Sequence, residues 1–127
     1  MAITTHQPLQ VLFLDDEKEL CEFFQDYFET SDFKISTFSQ VHEAVAFSKK
    51  RNPDLIFLDY RLPGVLGDQV AREMPDHIPK ILLTGEIAIT TSYPFEQIIE
   101  KPFEVSDIER LLRHYQSRLS KQKVRDA

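Results

Sequence analysis

Asp15, Asp16, Asp59, Thr84 and Lys101 are the side chains with which this sequence could do chemistry, and each stands at or just past the end of a short apolar run. The clearest run is 53–59, Pro-Asp-Leu-Ile-Phe-Leu-Asp, where four apolar residues are entered by a proline and closed by an acid. That pattern reads as a strand buried on both faces, the kind found inside a parallel sheet with helices on either side. In such a sheet the carboxyl ends of all strands face one way and form the crevice where ligands bind. Three carboxylates gathered there would repel one another. A hard divalent cation removes that cost, and an all-oxygen donor set with room for water and phosphate suits Mg²⁺. A hydroxyl and an ammonium opposite the acids can hold phosphoryl oxygens. The chemistry suggested is attack by the Asp59 carboxylate on phosphorus, giving an aspartyl phosphate. Plainer roles compete: Asp59 precedes Leu62-Pro63-Gly64 and could serve a turn, and Asp15 and Asp16 could cap a helix.

The elements that must position these groups follow in order. Leu9–Leu14 is a strand, and Glu17 to about Thr30 a helix with Leu20, Phe23, Phe24, Tyr27 and Phe28 in one stripe. Asp16 with Glu19 makes a capping pair for it. Phe33–Phe38 alternates as a short strand, and Ser39 can cap a helix ended by Lys49-Lys50-Arg51, a basic run that suits the helix dipole and reads as a solvated end. After the Asp59 strand come a loop at 60–66 and a short helix from Gly67 to about Met74. Lys80–Thr84 is the fourth strand, 97–101 the fifth, and a last helix runs from about Glu104 to Arg118. Strands alternating with helices make a doubly wound five-stranded parallel sheet the natural architecture. One domain over 9–119 is expected, with a loose lead at 1–8 and a polar, fraying tail at 120–127.

Composition agrees. The chain has 127 residues, 42% of them hydrophobic, and only three glycines, which fits a single globular core. A formal charge of −6 argues against a nucleic-acid surface spread over the domain. Cys21 lies on an apolar helical face, reads as a buried structural thiol, and cannot form an internal disulfide, which suits a reducing cytosol. No apolar stretch reaches membrane-spanning length, and the N-terminus lacks the apolar core of a signal peptide. The expectation is a cytoplasmic protein without a direct nucleic-acid or membrane partner.

Taken together, Leu-Phe-Leu-Asp15-Asp16-Glu17, Asp54-Leu-Ile-Phe-Leu-Asp59-Tyr-Arg-Leu-Pro63-Gly64, Leu-Leu-Thr84-Gly85 and Lys101-Pro102-Phe103 resemble the receiver domains of response regulators, the CheY-like modules of two-component signalling. The likeness covers residues 9 to about 118. It implies a CheY-like, flavodoxin-like (βα)5 fold in which Asp59 accepts phosphate. It also implies that Asp16 and Asp59 bind Mg²⁺ through carboxylates, Arg61 through its backbone carbonyl and Asp15 mainly through water. Thr84 would close on the phosphoryl oxygen, Lys101 would pair with it, and the Lys101–Pro102 peptide would be cis. The implied partners are a histidine kinase or phosphotransfer protein and an unidentified downstream protein. The implied activity is that of a switch, not a turnover enzyme, although it assists its own phosphorylation and hydrolysis.

The sequence departs from that family in two places. Ile98 stands where the family has an aromatic residue that turns inward after phosphorylation, so a different readout is implied. Residues 85–96 leave little room for the crossover before the fifth strand, and Pro94 with Ile87, Ile89, Thr90 and Thr91 opposes a long helix. The fourth helix should be a turn or two, or missing. The usual dimer face is then altered, making a monomer or an atypical dimer the expectation. Arg61 and Glu86, each two residues past a site residue, are expected to pair over the site and hinder the hydrolytic water.

Two other functions compete with this one. A receiver-like interaction module that no longer needs phosphate would explain Ile98 and the short crossover, but it gives the acids, Thr84 and Lys101 no common use. A Mg²⁺-dependent phosphatase with an aspartate nucleophile needs a second acid where Asp59-Tyr60-Arg61 has arginine, and no cap domain exists. The residues after the last helix are too few for a DNA-binding or catalytic output domain, so a stand-alone receiver acting through a partner is expected.

Overall fold

The computed structural model describes residues 7–126. Strands β1 (Leu9–Leu14), β2 (Phe33–Phe38), β3 (Leu55–Asp59), β6 (Lys80–Thr84) and β7 (Gln97–Glu100) form one sheet in the order β2-β1-β3-β6-β7, every pair parallel. Between β3 and β6 lie a two-strand hairpin, β4 (Arg61–Leu62) with β5 (Val65–Leu66), and helix α3 (Gly67–Glu73). The other helices are α1 (Lys18–Phe28), α2 (Val41–Arg51) and α4 (Val105–Asp126).

Alternation along the strands divides the core between the two faces of the sheet. Val11, Phe13, Leu55, Phe57, Ile81 and Leu83 pack with Phe24 and Phe28 of α1 and Ile108 and Leu112 of α4. Leu12, Leu14, Ile56, Leu58 and Leu82 face the opposite way, onto Ala44 and Val45 of α2 and Val70 of α3. Phe13 stacks on Phe24 at 4.1 Å between ring centroids, fixing α1 against β1. The edge strand β2 is covered by its own neighbour: Gln25 donates to the Ile35 carbonyl and Glu29 accepts from the Ile35 amide. Side chains from α1 thus occupy backbone groups that could otherwise template another strand.

The crossover at 85–96 contains no helix, the shorter of the two outcomes its sequence allows. It is an irregular strap with several bends instead, with Ile89 and Phe95 laid on the α2/α3 side of the core. Three expectations are corrected. Helix α4 runs to Asp126, so the part of the supposed tail that is described is helical; Gln, Lys and Arg after Ser120 are good helix formers and no Gly or Pro stops them. The N-caps of α1 and α2 are Glu17 and Gln40, without side-chain capping bonds, in place of Asp16 and Ser39. The segment at 60–66 is a tight hairpin turning on Gly64 at φ +74°, a conformation glycine adopts without strain. Residues 1–6 of the lead and Ala127 lie outside the described residues.

Candidate functional site

Parallel pairing sets the site. β1 and β3 run in register from Val11↔Leu55 to Leu14↔Leu58, so Asp15 and Asp59 leave the sheet side by side. Thr84 ends β6, paired with Glu100, which brings Lys101 just past the same rim. Carboxylate oxygens of Asp15, Asp16 and Asp59 all lie within 4.8 Å of one another. Asp15 is fully buried and Asp59 nearly so, whereas Asp16 is exposed. The Asp15 carboxylate does not cap α1 from the N-cap position; its Oδ1 accepts the Glu17 amide at 2.9 Å, which turns the chain into the helix. Gly67 closes the floor. Its amide donates to the Tyr60 carbonyl, and an added Cβ would stand 2.8 Å from the Asp59 carbonyl oxygen and 2.7 Å from a Leu82 methyl.

Lys101 is the counter-charge. Its Nζ lies 2.7 Å from Asp15 Oδ2, 3.2 Å from Asp59 Oδ1 and 3.9 Å from Glu17 Oε1. Burial disfavours its charge, but the hydrogen bond and charge of Asp15, with those of Asp59, outweigh that and hold the ammonium above its ordinary pKa. Asp59 has the reverse balance. Loss of water around it and the neighbouring Asp15 charge push its carboxyl up to about 6, against the pull of Lys101. A single ammonium therefore leaves the site electrostatically short of positive charge. That deficit and the all-oxygen donor set fit a hard divalent cation such as Mg²⁺, with Asp15, Asp16 and Asp59 as the carboxylates able to hold it.

Thr84 is buried, and its Oγ1 accepts the Glu86 amide at 3.0 Å. Arg61 and Glu86 form a two-pronged pair at 2.5 and 3.0 Å, which raises the arginine pKa and lowers the carboxyl through the hydrogen bonds first. The Lys101–Pro102 peptide is cis. Ile98 is 41% exposed, on a strand whose neighbour Ile99 is buried. Cys21 is buried with its thiol on the Asp15 carbonyl, and burial pushes its pKa up to about 11, which makes it an inert structural thiol.

Sequence reasoning missed Glu17 as a neighbour of Lys101 and Gly67 as the residue that lets α3 approach Asp59. The third acid in Asp15-Asp16-Glu17 was a signal for the first. No local pattern signals the second, because the requirement is the space beside Leu82.

Among the described residues no helix is long and apolar enough to cross a membrane. The chain is similar to the heme response regulator HssR of Staphylococcus epidermidis, 27% identical over 119 residues that cover 85% of this chain and 53% of that protein. It is similar also to the response regulator SaeR of Staphylococcus aureus, 25% identical over 119 residues, 87% of this chain and 52% of the relative. The chain thus spans about half the length of the curated relatives it matches. Its fold is that of a CheY-like receiver domain protein from Methanospirillum hungatei, with a TM-score of 0.80 at 18% identity, covering 91% of this chain and 99% of that one. The family model for the response regulator receiver domain matches residues 11–113, and the chain belongs to that family.

Proposed function

We propose that this receiver accepts a phosphoryl group on Asp59 from a histidine kinase or phosphotransfer protein in the cytoplasm and passes the signal to a protein partner, acting as a switch and not as a turnover enzyme. The observation that carries this reading is the placement of Lys101 Nζ between buried Asp15 and Asp59 inside a cluster of three carboxylates. A structural domain gains nothing from burying that much negative charge around one ammonium.

An Asp59 carboxylate oxygen bonds to phosphorus while the bond from phosphorus to the donor breaks, whether to the imidazole nitrogen of a phosphohistidine or to the acyl oxygen of a small acyl phosphate. The leaving group departs with the electron pair: the imidazole of a phosphohistidine takes a proton from solvent, and the acyl group of an acyl phosphate leaves as its carboxylate anion. With a pKa of about 6, Asp59 is ionised and nucleophilic at neutral pH. Lys101, fixed by Asp15, stays charged and can pair with a phosphoryl oxygen as Asp59 gives up its negative charge. Thr84 supplies a hydroxyl donor. Asp16 and Asp59 through their carboxylates, Arg61 through its carbonyl and Asp15 mainly through water would hold Mg²⁺, which would supply charge neutralisation at the phosphoryl oxygens.

Intact-mass analysis after incubation with Mg²⁺ and acetyl phosphate tests this. Wild type gains one phosphate; Asp59→Asn gains none, nor does wild type without Mg²⁺. No adduct on wild type with either acetyl phosphate or a histidine kinase would favour the phosphate-independent interaction module.

The Arg61–Glu86 pair leads to a second expectation. It screens the approach of water, so Arg61→Ala and Glu86→Ala shorten the lifetime of the phosphorylated protein several-fold. Both partners are solvent-exposed, so their removal leaves folding stability unchanged. Decay rates equal to wild type in both variants would show that the pair screens nothing.

A further inference from the structure

The face that α1 and α4 share is divided by charge. From Asp15 to Asp32 the chain carries eight acids and one base, Lys18; from Arg110 to Arg125 it carries six bases and no acid. Both helices pack on the same side of the sheet, with Phe24 and Phe28 of α1 and Ile108 and Leu112 of α4 in one cluster. Each follows a strand of one parallel sheet, so the two run in the same direction. On α1, Glu19, Glu22 and Asp26 recur at intervals of three and four residues and are exposed, and none has an ion pair among the described residues. On α4, Arg110, Arg113, Arg118 and Lys121 are exposed. Arg110 meets Asp107 and Arg118 meets Glu96 at 3.6 Å, but open pairs of this kind are worth little and exchange readily. Between the acidic and the basic stripe lie Phe23 and Tyr27, 42% and 53% exposed, their ring centroids 5.6 Å apart. Phe23 also meets Phe103, just before α4, at 6.5 Å, and Tyr27 lines one cleft with Glu109 and Arg113. Exposed rings ringed by charge have the layout of a protein interface. The other large apolar side chains in the open lie outside this face, Ile98 on β7 and Ile87 on the crossover that Ser92 anchors to Asp68 and Tyr93 to Lys80.

We propose that this face joins two copies of the chain about a two-fold axis parallel to the helices, with α1 of each copy on α4 of the other. That axis sets acid on base at both contacts. A two-fold axis across the helices would set α1 on α1 and α4 on α4, like charge on like. A partner of one uniform charge would be repelled by half of the face, whereas the chain's own surface matches all of it. Tyr27 shares its cleft with Glu109 and Arg113, so Asp26 comes about level with Arg110 of the partner subunit, and Phe23 and Tyr27 are covered at the centre. The same axis places both Asp59 sites at one end of the dimer and leaves the crossover and β7 of each copy free.

Sedimentation equilibrium of the full chain from about 10 to 500 µM, at about 50 mM salt, tests the pairing. Wild type should form a dimer that about 500 mM salt weakens several-fold. Glu22→Lys with Asp26→Lys should be monomeric over that range, and so should Arg110→Glu with Arg113→Glu. Glu29 is left unchanged because it also accepts the Ile35 amide. An equimolar mixture of the two variants should dimerise about as tightly as wild type, since the mixed pair joins opposite charges at both contacts. All four substituted side chains are exposed, and urea midpoints equal to wild type verify that both variants fold. Independently of any variant, diluting ¹⁵N-labelled wild type should move amide signals at 19–29 and 103–121 and no others. A wild type that stays monomeric throughout overturns the proposal and leaves the face to a protein of another sequence. A dimer that survives either double reversal, a mixture that stays monomeric, or dilution shifts centred on the crossover and β7 overturn it as well.

Discussion

In the metal-free protein, Asp59→Asn raises folding stability near neutral pH by about 2–3 kcal/mol. The folded protein holds the Asp59 carboxyl at about 6, above the ordinary 3.8, because burial and the Asp15 charge disfavour ionisation more than Lys101 favours it. A carboxyl raised by folding binds its proton more tightly in the native state. Its contribution is therefore fully present below about pH 3.8 and lost as pH rises through about 6. Asparagine imitates the neutral acid and escapes that loss. The difference between variant and wild type should be largest above about pH 7, shrink through pH 5, and vanish near pH 3.5. Urea unfolding across that range measures it. Millimolar Mg²⁺ should narrow the gap from the other side, stabilising wild type by RT ln(1 + [Mg²⁺]/Kd) and the variant by less. Equal stabilities at neutral pH without metal would mean that Asp59 carries no electrostatic strain.

The same residue shows how much was legible in the sequence. An unbroken apolar run closed by an acid placed Asp59 at the rim, and the order of the runs placed Asp15, Asp16, Thr84 and Lys101 beside it, because parallel register brings strand ends to one edge whatever the loops do. That the crossover could hold a turn or two of helix at most was legible too, since Pro94 and the β-branched residues oppose a long one there; the structure has none. What was not legible depends on contacts between distant segments. Asp68 and Ser92, and likewise Lys80 and Tyr93, are ordinary polar residues in sequence; only the fold makes them anchors. The predicted caps at Asp16 and Ser39 failed for a related reason. Local spacing suggested them, but Asp15 already takes the Glu17 amide and the chain turns one residue later at each helix. The Arg61–Glu86 pair could be read because each lies two residues past the last residue of its strand, Asp59 or Thr84, and the two strands are neighbours in the sheet.

Lys101→Met should have the opposite sign to Asp59→Asn, costing the metal-free protein about 3 kcal/mol near neutral pH. The Asp15 carboxylate is fully buried, with Lys101 and the Glu17 amide as its hydrogen-bond donors among the described residues; methionine keeps the stem's packing but leaves that carboxylate without its counter-charge. Asp59 loses the one neighbour that lowers its pKa, so its carboxyl rises above about 6, and the stability lost between the unfolded and folded pKa values grows. The deficit should accordingly shrink as pH falls toward 5, where Asp59 takes up its proton. A divalent cation offers a second repair. With the competing ammonium gone, the three carboxylates should bind Mg²⁺ several-fold more tightly than in wild type, and millimolar Mg²⁺ should return much of the lost stability. Urea unfolding with and without Mg²⁺, at about pH 5 and about pH 7.5, separates the two repairs. A variant as stable as wild type without metal would show that Asp15 does not depend on Lys101. A deficit that neither acid nor Mg²⁺ relieves would trace it to lost packing and not to charge. Relief by both would identify Lys101 as the resident cation of a site whose negative charge exceeds what one ammonium can balance.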